Sequence, residues 1–328
     1  MAREQVAYPL SRRSFCWTLA GVLVAPRIAI AQTSKVRRIG FLEAGTNDDP
    51  DALQMQAKLL RERGWVEGQN LLIERRYGNG RSEALQGLAE ELVRAQVEII
   101  LTNGTPATLA AKRATTTIPI VFSSGDPVLL GLVASLAHPG GNLTGYSSAS
   151  PEVSTKRLSL LKELLPRLQR LGALWQAGDQ YYQATRGEFE HVCQSLGLVP
   201  IIVEVGSAAE INSAIEKLVR QRAQALFMPN SAIVVDHGPE ILSAAMKHRL
   251  PTMAEGWDDA LILYGPTWQE AERRGVEYID RILRGAKPGD LPVQQPTKFV
   301  LTINLKTAKA LGLTIPNELL LRADEVIQ

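Results

Sequence analysis

Cysteine is nearly absent from this sequence of 328 residues, which contains only Cys16 and Cys193. Cys16 lies in an N-terminal segment that we expect to be removed, so Cys193 would be the only cysteine of the mature chain. A single cysteine cannot form an intramolecular disulfide. The sequence therefore excludes a fold that depends on disulfides, and we interpret Cys193 as a buried apolar residue.

The common motifs of metal, nucleotide and nucleophile sites are also missing. The four histidines show neither His-x-x-x-His spacing nor a neighbouring cysteine pair, so no metal site is expected. There is no Walker loop and no G-x-S-x-G turn. The segment GNGRSE at 78–83 has Glu83 where a dinucleotide-binding loop needs its third glycine. We expect no cofactor. Asp126 could act as a general base, but capping of a turn or contact with a cationic ligand is the favoured interpretation.

Neither sign of charge is in excess. The chain has 36 basic and 34 acidic residues, and removal of residues 1–31 would leave 32 and 33. No block of basic residues indicates a nucleic-acid surface, and no acidic tail indicates disorder. Nucleic acid is therefore not an expected partner.

The first 31 residues have the pattern of an export signal. Paired arginines, Arg12 and Arg13, precede an apolar run at 16–25, and small residues lead to a cleavage site after about Ala31. The run is too short and too interrupted to span a bilayer, although retention as an anchor is the alternative. The pattern predicts a twin-arginine signal peptide and a periplasmic protein.

The most informative stretch, residues 97–127, reads VEIILTNGTPATLAAKRATTTIPIVFSSGDP. Its two apolar runs, 97–101 and 118–122, are typical of strands buried on both faces of a parallel sheet. After the first run, Gly104 suits a tight turn, Thr105 a helix cap and Pro106 the first helical position.

Small polar residues follow each of these two strands. Ligands of open α/β sheets bind just beyond the carboxyl ends of the strands, and free N–H groups at a helix start favour anions. The candidate site therefore contains Gly104, Thr105, Ser123, Ser124 and Asp126. The alternative interpretation is that these are ordinary turns between strands and helices.

The rest of the chain continues the alternation of strands and helices in two series, which predicts parallel sheets in two lobes. We expect helices at 128–137 and 152–165, and then strands at 171–176, 199–205, 225–228 and 250–254. A helix at 267–284 would return to the first lobe. The predicted domains are the signal at 1–31, lobe 1 at 36–147 plus 265–292, and lobe 2 at 148–264 plus 293–328, joined by three crossing segments.

Several separated segments resemble one family of bacterial proteins. They are GWVEGQNLLIERRY at 64–77, GTPATLAAKRATTTIPIVFSSGDPV at 104–128, KRLSLLKELLP at 156–166 and the C-terminal GAKPGDLPVQQPTKFVLTINLKTAKALGLTIPNELLLRADEVI. In this order they resemble the ABC-transporter substrate-binding proteins related to tryptophan- and tyrosine-binding components. The resemblance covers essentially the whole mature chain.

The resemblance implies a type I periplasmic-binding-protein fold, no catalysis, and a ligand clamped in a Venus-flytrap cleft. It implies that the turns after the third and fourth strands hold a carboxylate. Glu255 or Asp179 would pair with an ammonium group, and Tyr146, Tyr181 or Trp257 would stack on an aromatic ligand. Trp65 and Trp175 are interpreted as packing residues. The further cleft positions that it implies in the second lobe are Gln176, Asn230 and Gly256.

The function predicted from this resemblance is uptake of a small organic solute, such as an aromatic or branched amino acid, for the membrane permease of an ABC transporter. We expect a monomer. Two alternatives stay open at this point: an exported α/β enzyme with Asp126 as base, and a ligand-sensing module for a membrane receptor. The segment GWDDALILYGP after Glu255 departs from the family pattern, which leaves the ligand undetermined.

Overall fold

The computed structural model describes residues 36–46, 50–148 and 151–328. The predicted signal peptide lies outside these ranges. The strands are β1 Arg37–Glu43, β2 Leu71–Tyr77, β3 Ile99–Asn103, β4 Ile120–Ser124, β5 Leu143–Ser147, β6 Arg170–Gln176, β7 Val199–Val205, β8 Ala225–Phe227, β9 Thr252–Ala254, β10 Ile262–Gly265, β11 Val300–Asn304 and β12 Glu325–Ile327. The α-helices are α1 Pro50–Glu62, α2 Leu85–Arg94, α3 Thr105–Ala114, α4 Pro151–Leu164, α5 Gln180–Ser195, α6 Ile211–Arg220, α7 Ala232–Lys247, α8 Trp268–Leu283, α9 Leu305–Leu311 and α10 Asn317–Arg322.

The strands form two sheets, each the centre of one lobe. The sheet of lobe 1 has the order β2-β1-β3-β4-β5 and is parallel throughout. The sheet of lobe 2 has the order β12-β11-β10-β9-β8-β6-β7, and only its β10–β11 pair is antiparallel. The predicted α/β fold with two parallel-sheet lobes is confirmed.

Each sheet is covered by helices on both faces, which explains the unalternating apolar strands. In β3 the four residues from Ile99 to Thr102 are all buried. On α6 the buried residues recur at helical spacing, at Ile211, Ala214, Ile215 and Leu218. Both lobes therefore have a core on each face of the sheet.

The chain passes between the lobes three times: after β5, between β10 and α8, and before β11. Helix α8 packs against α1 and against strands β3, β4 and β5 of lobe 1. At the first and third passages the backbone is paired, because Gln294 N donates to Gly145 O and Ser147 N donates to Gln294 O, both at 2.9 Å. The exact lobe boundaries stay a prediction.

The helix predicted at 128–137 is wrong. This segment is a series of turns in which Leu132 N donates to Pro127 O at 2.8 Å and Gly131 has a φ of 61°. A residue in the left-handed region interrupts an α-helix, and Pro139 follows closely. The short edge strand β12 was also not predicted.

Candidate functional site

A cavity of about 960 Å³ lies between the lobes, at the carboxyl ends of strands from both sheets. Ten of the twelve predicted binding residues line it: Gly104, Thr105, Ser123, Ser124, Tyr146, Asp179, Tyr181, Asn230, Glu255 and Gly256. The geometry is that of a ligand enclosed by two lobes.

The lobe 1 side of the cavity is formed by the turns after β3 and β4. Gly104, with a φ of 88°, occupies the N-cap of α3, so the predicted cap Thr105 is instead the first helical residue. Thr105 is buried, and its Oγ1 accepts a hydrogen bond from Gly125 N at 3.3 Å. Ser124 donates from its hydroxyl to Gly125 O at 3.2 Å. The contact between Thr105 and Gly125 joins the two turns, and the contact of Ser124 lies within the second turn.

The lobe 2 side carries a cluster of aromatic rings that we call the aromatic wall: Trp175, Tyr181, Tyr182, Phe189 and Phe227. The ring centroids of Trp175 lie 5.7 Å from Tyr182 and 5.6 Å from Phe189. Phe189 stacks on Phe227 at 5.6 Å, and Tyr181 meets Tyr182 edge-on at 5.2 Å. All five residues line the cavity, so the interpretation of Trp175 as a packing residue missed this second role. Its position at the end of β6 was the available signal.

Both tyrosines of this wall are neutral hydrogen-bonding groups. Burial is the main cause that raises the pKa of Tyr181 and Tyr182 above the ordinary value, and nearby carboxylates add to it. The Tyr182 hydroxyl donates to Asn230 O at 2.5 Å. The wall therefore presents apolar ring faces together with two phenol groups, of which that of Tyr182 is fixed by its hydrogen bond.

Two of the predicted acidic groups already have partners within the protein. Asp179 is the N-cap of α5 and accepts a hydrogen bond from Tyr181 N at 2.9 Å. Burial raises its pKa, while this and a second backbone hydrogen bond lower it. Glu255 pairs through Oε1 with Arg157 Nη1 at 2.5 Å. Neither carboxylate is an isolated charge that awaits a ligand ammonium.

Arg157 is a charged cavity residue that the sequence analysis did not identify. It lies on α4, and 6% of its surface is exposed. Leu161 and Leu164, four and seven positions later, are buried on the same helix face. An arginine in the middle of an apolar helix face is the signal that would have singled it out.

The structure does not place two predicted residues at the cavity. Asp126 Oδ1 accepts hydrogen bonds from Val128 N at 2.9 Å and Leu129 N at 3.0 Å, which closes its own turn. Gln176 is buried, and its Oε1 accepts from Ile233 N at 3.2 Å near the start of α7. Both side chains have local structural roles.

The predicted stacking residues Tyr146 and Trp257 both line the cavity. Tyr146 is buried, and its hydroxyl has no hydrogen-bond partner. Trp257 donates from Nε1 to Val234 O at 3.1 Å and packs so closely on α7 that a Cβ at Gly238 would lie 2.1 Å from its ring. Trp257 is therefore held by packing.

Other kinds of site were sought in the same residues. Across 36–46, 50–148 and 151–328 no three acidic, histidine or cysteine side chains are grouped as metal ligands. Within those ranges no helix combines the length and apolar character needed to cross a membrane.

Comparison with known proteins agrees with this geometry. Residues 53–327 match the family model described as ABC transporter substrate binding protein. The tyrosine-binding protein of Clostridioides difficile (strain R20291) is 27% identical over 261 residues, which cover 78% of this chain and 75% of that protein.

Two crystal structures are similar over 89% of this chain. One is a conserved domain protein of Vibrio cholerae O1 biovar El Tor, covered in full, with a TM-score of 0.82 and 26% identity. The other is an ABC domain of Streptococcus pneumoniae in complex with L-Trp, covered to 99%, with a TM-score of 0.79 and 25% identity.

The family is described as ABC transporter substrate binding proteins and the Clostridioides difficile relative as a tyrosine-binding protein, so these are solute-binding proteins and not enzymes. The prediction of a protein without catalytic activity is therefore confirmed by the family. The match extends over both lobes and includes most of the residues that line the cavity. The chain belongs to the family of ABC transporter substrate-binding proteins.

Proposed function

We propose that this protein binds an aromatic L-amino acid between its lobes and delivers it to the membrane permease of an ABC transporter. The observation that carries the proposal is the aromatic wall, which faces an enclosed cavity with polar turns on the opposite lobe. The relatives that bind tyrosine and L-Trp support the same ligand class.

Aromatic rings account for both affinity and selectivity in such a site. An aromatic side chain buries about 150–250 Å², which at about 25 cal/mol/Å² contributes roughly 4–6 kcal/mol. Each edge or stacked contact between rings adds about 0.5–1.5 kcal/mol. A branched aliphatic side chain buries less area and makes no ring contact, so it would bind more weakly.

We propose the ten predicted residues that line the cavity as ligand contacts, with Gly104, Thr105, Ser123 and Ser124 on the lobe 1 side. Asp126 and Gln176 would affect binding only through the backbone they hold. Ligand contacts to both lobes would shift the protein toward the closed form, which the permease would then recognise.

The proposal includes export to the periplasm through the twin-arginine signal at 1–31 and action as a monomer. Export is testable by cell fractionation of the wild type beside a variant in which Arg12 and Arg13 are both changed to Lys. Loss of the periplasmic protein in this variant alone is the expected result.

The ligand class is tested by calorimetry on purified protein that has been unfolded and refolded to remove carried ligand. The panel is L-tryptophan, L-tyrosine, L-phenylalanine, L-leucine and L-isoleucine. We expect the tightest aromatic amino acid to bind at least 10-fold more tightly than either aliphatic one. Preference for an aliphatic amino acid, or no binding by any of the five, would overturn the proposal.

A further inference from the structure

The guanidinium of Arg157 is only partly satisfied by the protein. Nη1 pairs with Glu255 Oε1 at 2.5 Å, and Nε donates to Tyr264 O at 2.7 Å. Nη2 is buried and has no hydrogen-bond partner. A buried donor on a charged group costs free energy when it is left unpaired, so a purely structural arginine would be expected to satisfy it.

Nη2 lies next to Gly265 at the edge of the cavity. Arg157 and Gly265 both line the cavity. A Cβ atom at Gly265 would lie 3.1 Å from Nη2, so even the smallest side chain there would crowd this nitrogen. Glu255 and the Tyr264 carbonyl fix the guanidinium from two other directions, which orients it in advance of binding.

Three other unpaired polar atoms are buried at the same cavity: Trp175 Nε1, the Tyr146 hydroxyl and Ser231 Oγ. Indole and guanidinium nitrogens can only donate hydrogen bonds, and both hydroxyls can also donate. They come from both lobes. These four groups can all donate hydrogen bonds, which suits a ligand with a negatively charged acceptor.

We propose that Arg157 Nη2 binds the carboxylate of the bound amino acid, with Glu255 and the Tyr264 carbonyl orienting the guanidinium. This inference rests on the proposed function. It assigns the carboxylate to lobe 2, whereas the sequence-based hypothesis assigned it to the turns at Thr105 and Ser124. Arginine and carboxylate form charge-assisted hydrogen bonds, which are stronger than those from neutral amides and hydroxyls.

The test compares one ligand with and without its negative charge. Calorimetry measures the affinity for an amino acid and for its primary amide. The amino acid is L-tryptophan or L-tyrosine, whichever the wild type binds more tightly. The proteins are the wild type, the double variant Arg157→Gln/Glu255→Gln, Arg157→Lys, Thr105→Val, and the control Arg186→Gln on the exposed face of α5. Changing both members of the buried pair avoids leaving one charge unpaired.

We expect the wild type and Arg186→Gln to prefer the acid over the amide by on the order of 10- to 100-fold, the range for one charged hydrogen bond. The double variant should lose this preference because it binds the acid more weakly and the amide nearly as before. Arg157→Lys keeps the charge but lacks Nη2, so it should lose part of the preference. Circular dichroism checks that each variant is folded, and Arg157→Lys supplies the result if the double variant is not.

The possible outcomes separate this inference from the proposed function. If the Arg157 variants keep the preference for the acid, or Thr105→Val alone loses it, Arg157 does not bind the carboxylate. If the wild type binds acid and amide equally, recognition of the aromatic ligand stands and the carboxylate contact is wrong. If the wild type binds no aromatic amino acid, the proposed function fails and this inference fails with it.

Discussion

The ring of Tyr181 in lobe 2 lies directly against Gly125 in lobe 1. A Cβ atom at Gly125 would come within 2.5 Å of the ring, closer than carbon atoms can approach. The lobes also meet where Thr46 N donates to both carboxylate oxygens of Asp236, at 2.9 and 3.0 Å. The structure is therefore closed, and its closure depends on the absence of a side chain at residue 125.

The variant Gly125→Ala should bind the ligand at least 10-fold more weakly than the wild type. The added methyl group would disfavour the closed form, while the φ of Gly125 lies outside the left-handed region, so the fold of lobe 1 should tolerate alanine. Calorimetry gives the affinity. In the presence of ligand, small-angle scattering should show a larger radius of gyration for Gly125→Ala than for the wild type.

The matched control is Gly87→Ala on α2, where an added Cβ meets no atom within 4 Å. Its affinity should equal that of the wild type. If Gly125→Ala also bound the ligand as tightly as the wild type, Tyr181 would not contact Gly125 in the ligand-bound form.

Trp65 and Trp175 allow a comparison of two indole N–H groups. One has a hydrogen-bond partner within the protein and the other has none. Trp175 Nε1 at the cavity has no partner. Trp65 Nε1 donates to Asp280 Oδ1 at 2.8 Å, away from the cavity. If the ligand accepts from Trp175, Trp175→Phe should weaken binding by about 5- to 20-fold, with ligand-free stability lowered by less than about 1 kcal/mol.

Trp65→Phe should behave in the opposite way. Loss of its hydrogen bond should lower the free energy of unfolding by about 1–2 kcal/mol and leave the affinity unchanged. Urea unfolding and calorimetry on the same preparations measure both quantities. A Trp175→Phe protein that is strongly destabilised but binds normally would make Trp175 a packing residue, as the sequence first indicated.

We expect Glu272 on α8 to make the stability of the protein depend on pH. It lines the cavity and accepts a hydrogen bond from Gln56 Nε2 at 3.5 Å. Burial raises its pKa from 4.5 to about 7, and the Gln56 contact lowers it by less. Because the folded state holds this proton more tightly than the unfolded state, the contribution of Glu272 to stability should fall as pH rises from about 4.5 to 7 and stay constant above.

The variant Glu272→Gln lacks this titration. Relative to the wild type it should gain roughly 3 kcal/mol between pH 4.5 and pH 8, measured by urea unfolding at several pH values. The control is Glu62→Gln, an exposed carboxylate at the end of α1. Parallel stability curves for the wild type and Glu272→Gln would disprove the raised pKa.

The sequence predicted those parts of the fold that local patterns determine. Unalternating apolar runs identified β3 and β4, and the spacing of apolar residues predicted α8 to within one residue at each end. The failure at 128–137 also has a local cause, since the apolar residues Leu129, Leu132 and Val133 suited a helix. Gly131 and the backbone contacts to Pro127 made turns instead.

The site was predicted in outline, because strand ends in an α/β fold converge on one region whatever their sequence. The chemistry of its groups depended on contacts between distant residues. The pairing of Glu255 with Arg157 joins the residue after β9 to α4, and no local pattern specifies it. The capping role of Asp179, by contrast, could have been read from its position directly before α5.

The sequence analysis treated Thr105 and Asp126 alike, as candidate ligand-binding residues. The structure predicts that substitutions at these two positions affect different properties. Thr105 is buried at the cavity and accepts from Gly125 N, which holds Gly125 beneath Tyr181. Thr105→Ala should therefore weaken ligand binding by about 3- to 10-fold through the loss of one hydrogen bond and a looser turn.

Asp126→Ala should leave the affinity within about 2-fold of the wild type. It removes the acceptor for Val128 N and Leu129 N, so the free energy of unfolding should fall by about 1 kcal/mol instead. Calorimetry and urea unfolding on both variants give a crossed pattern, in which one loses affinity and the other stability. The reverse pattern would move the ligand from the turn after β3 to the loop that Asp126 closes.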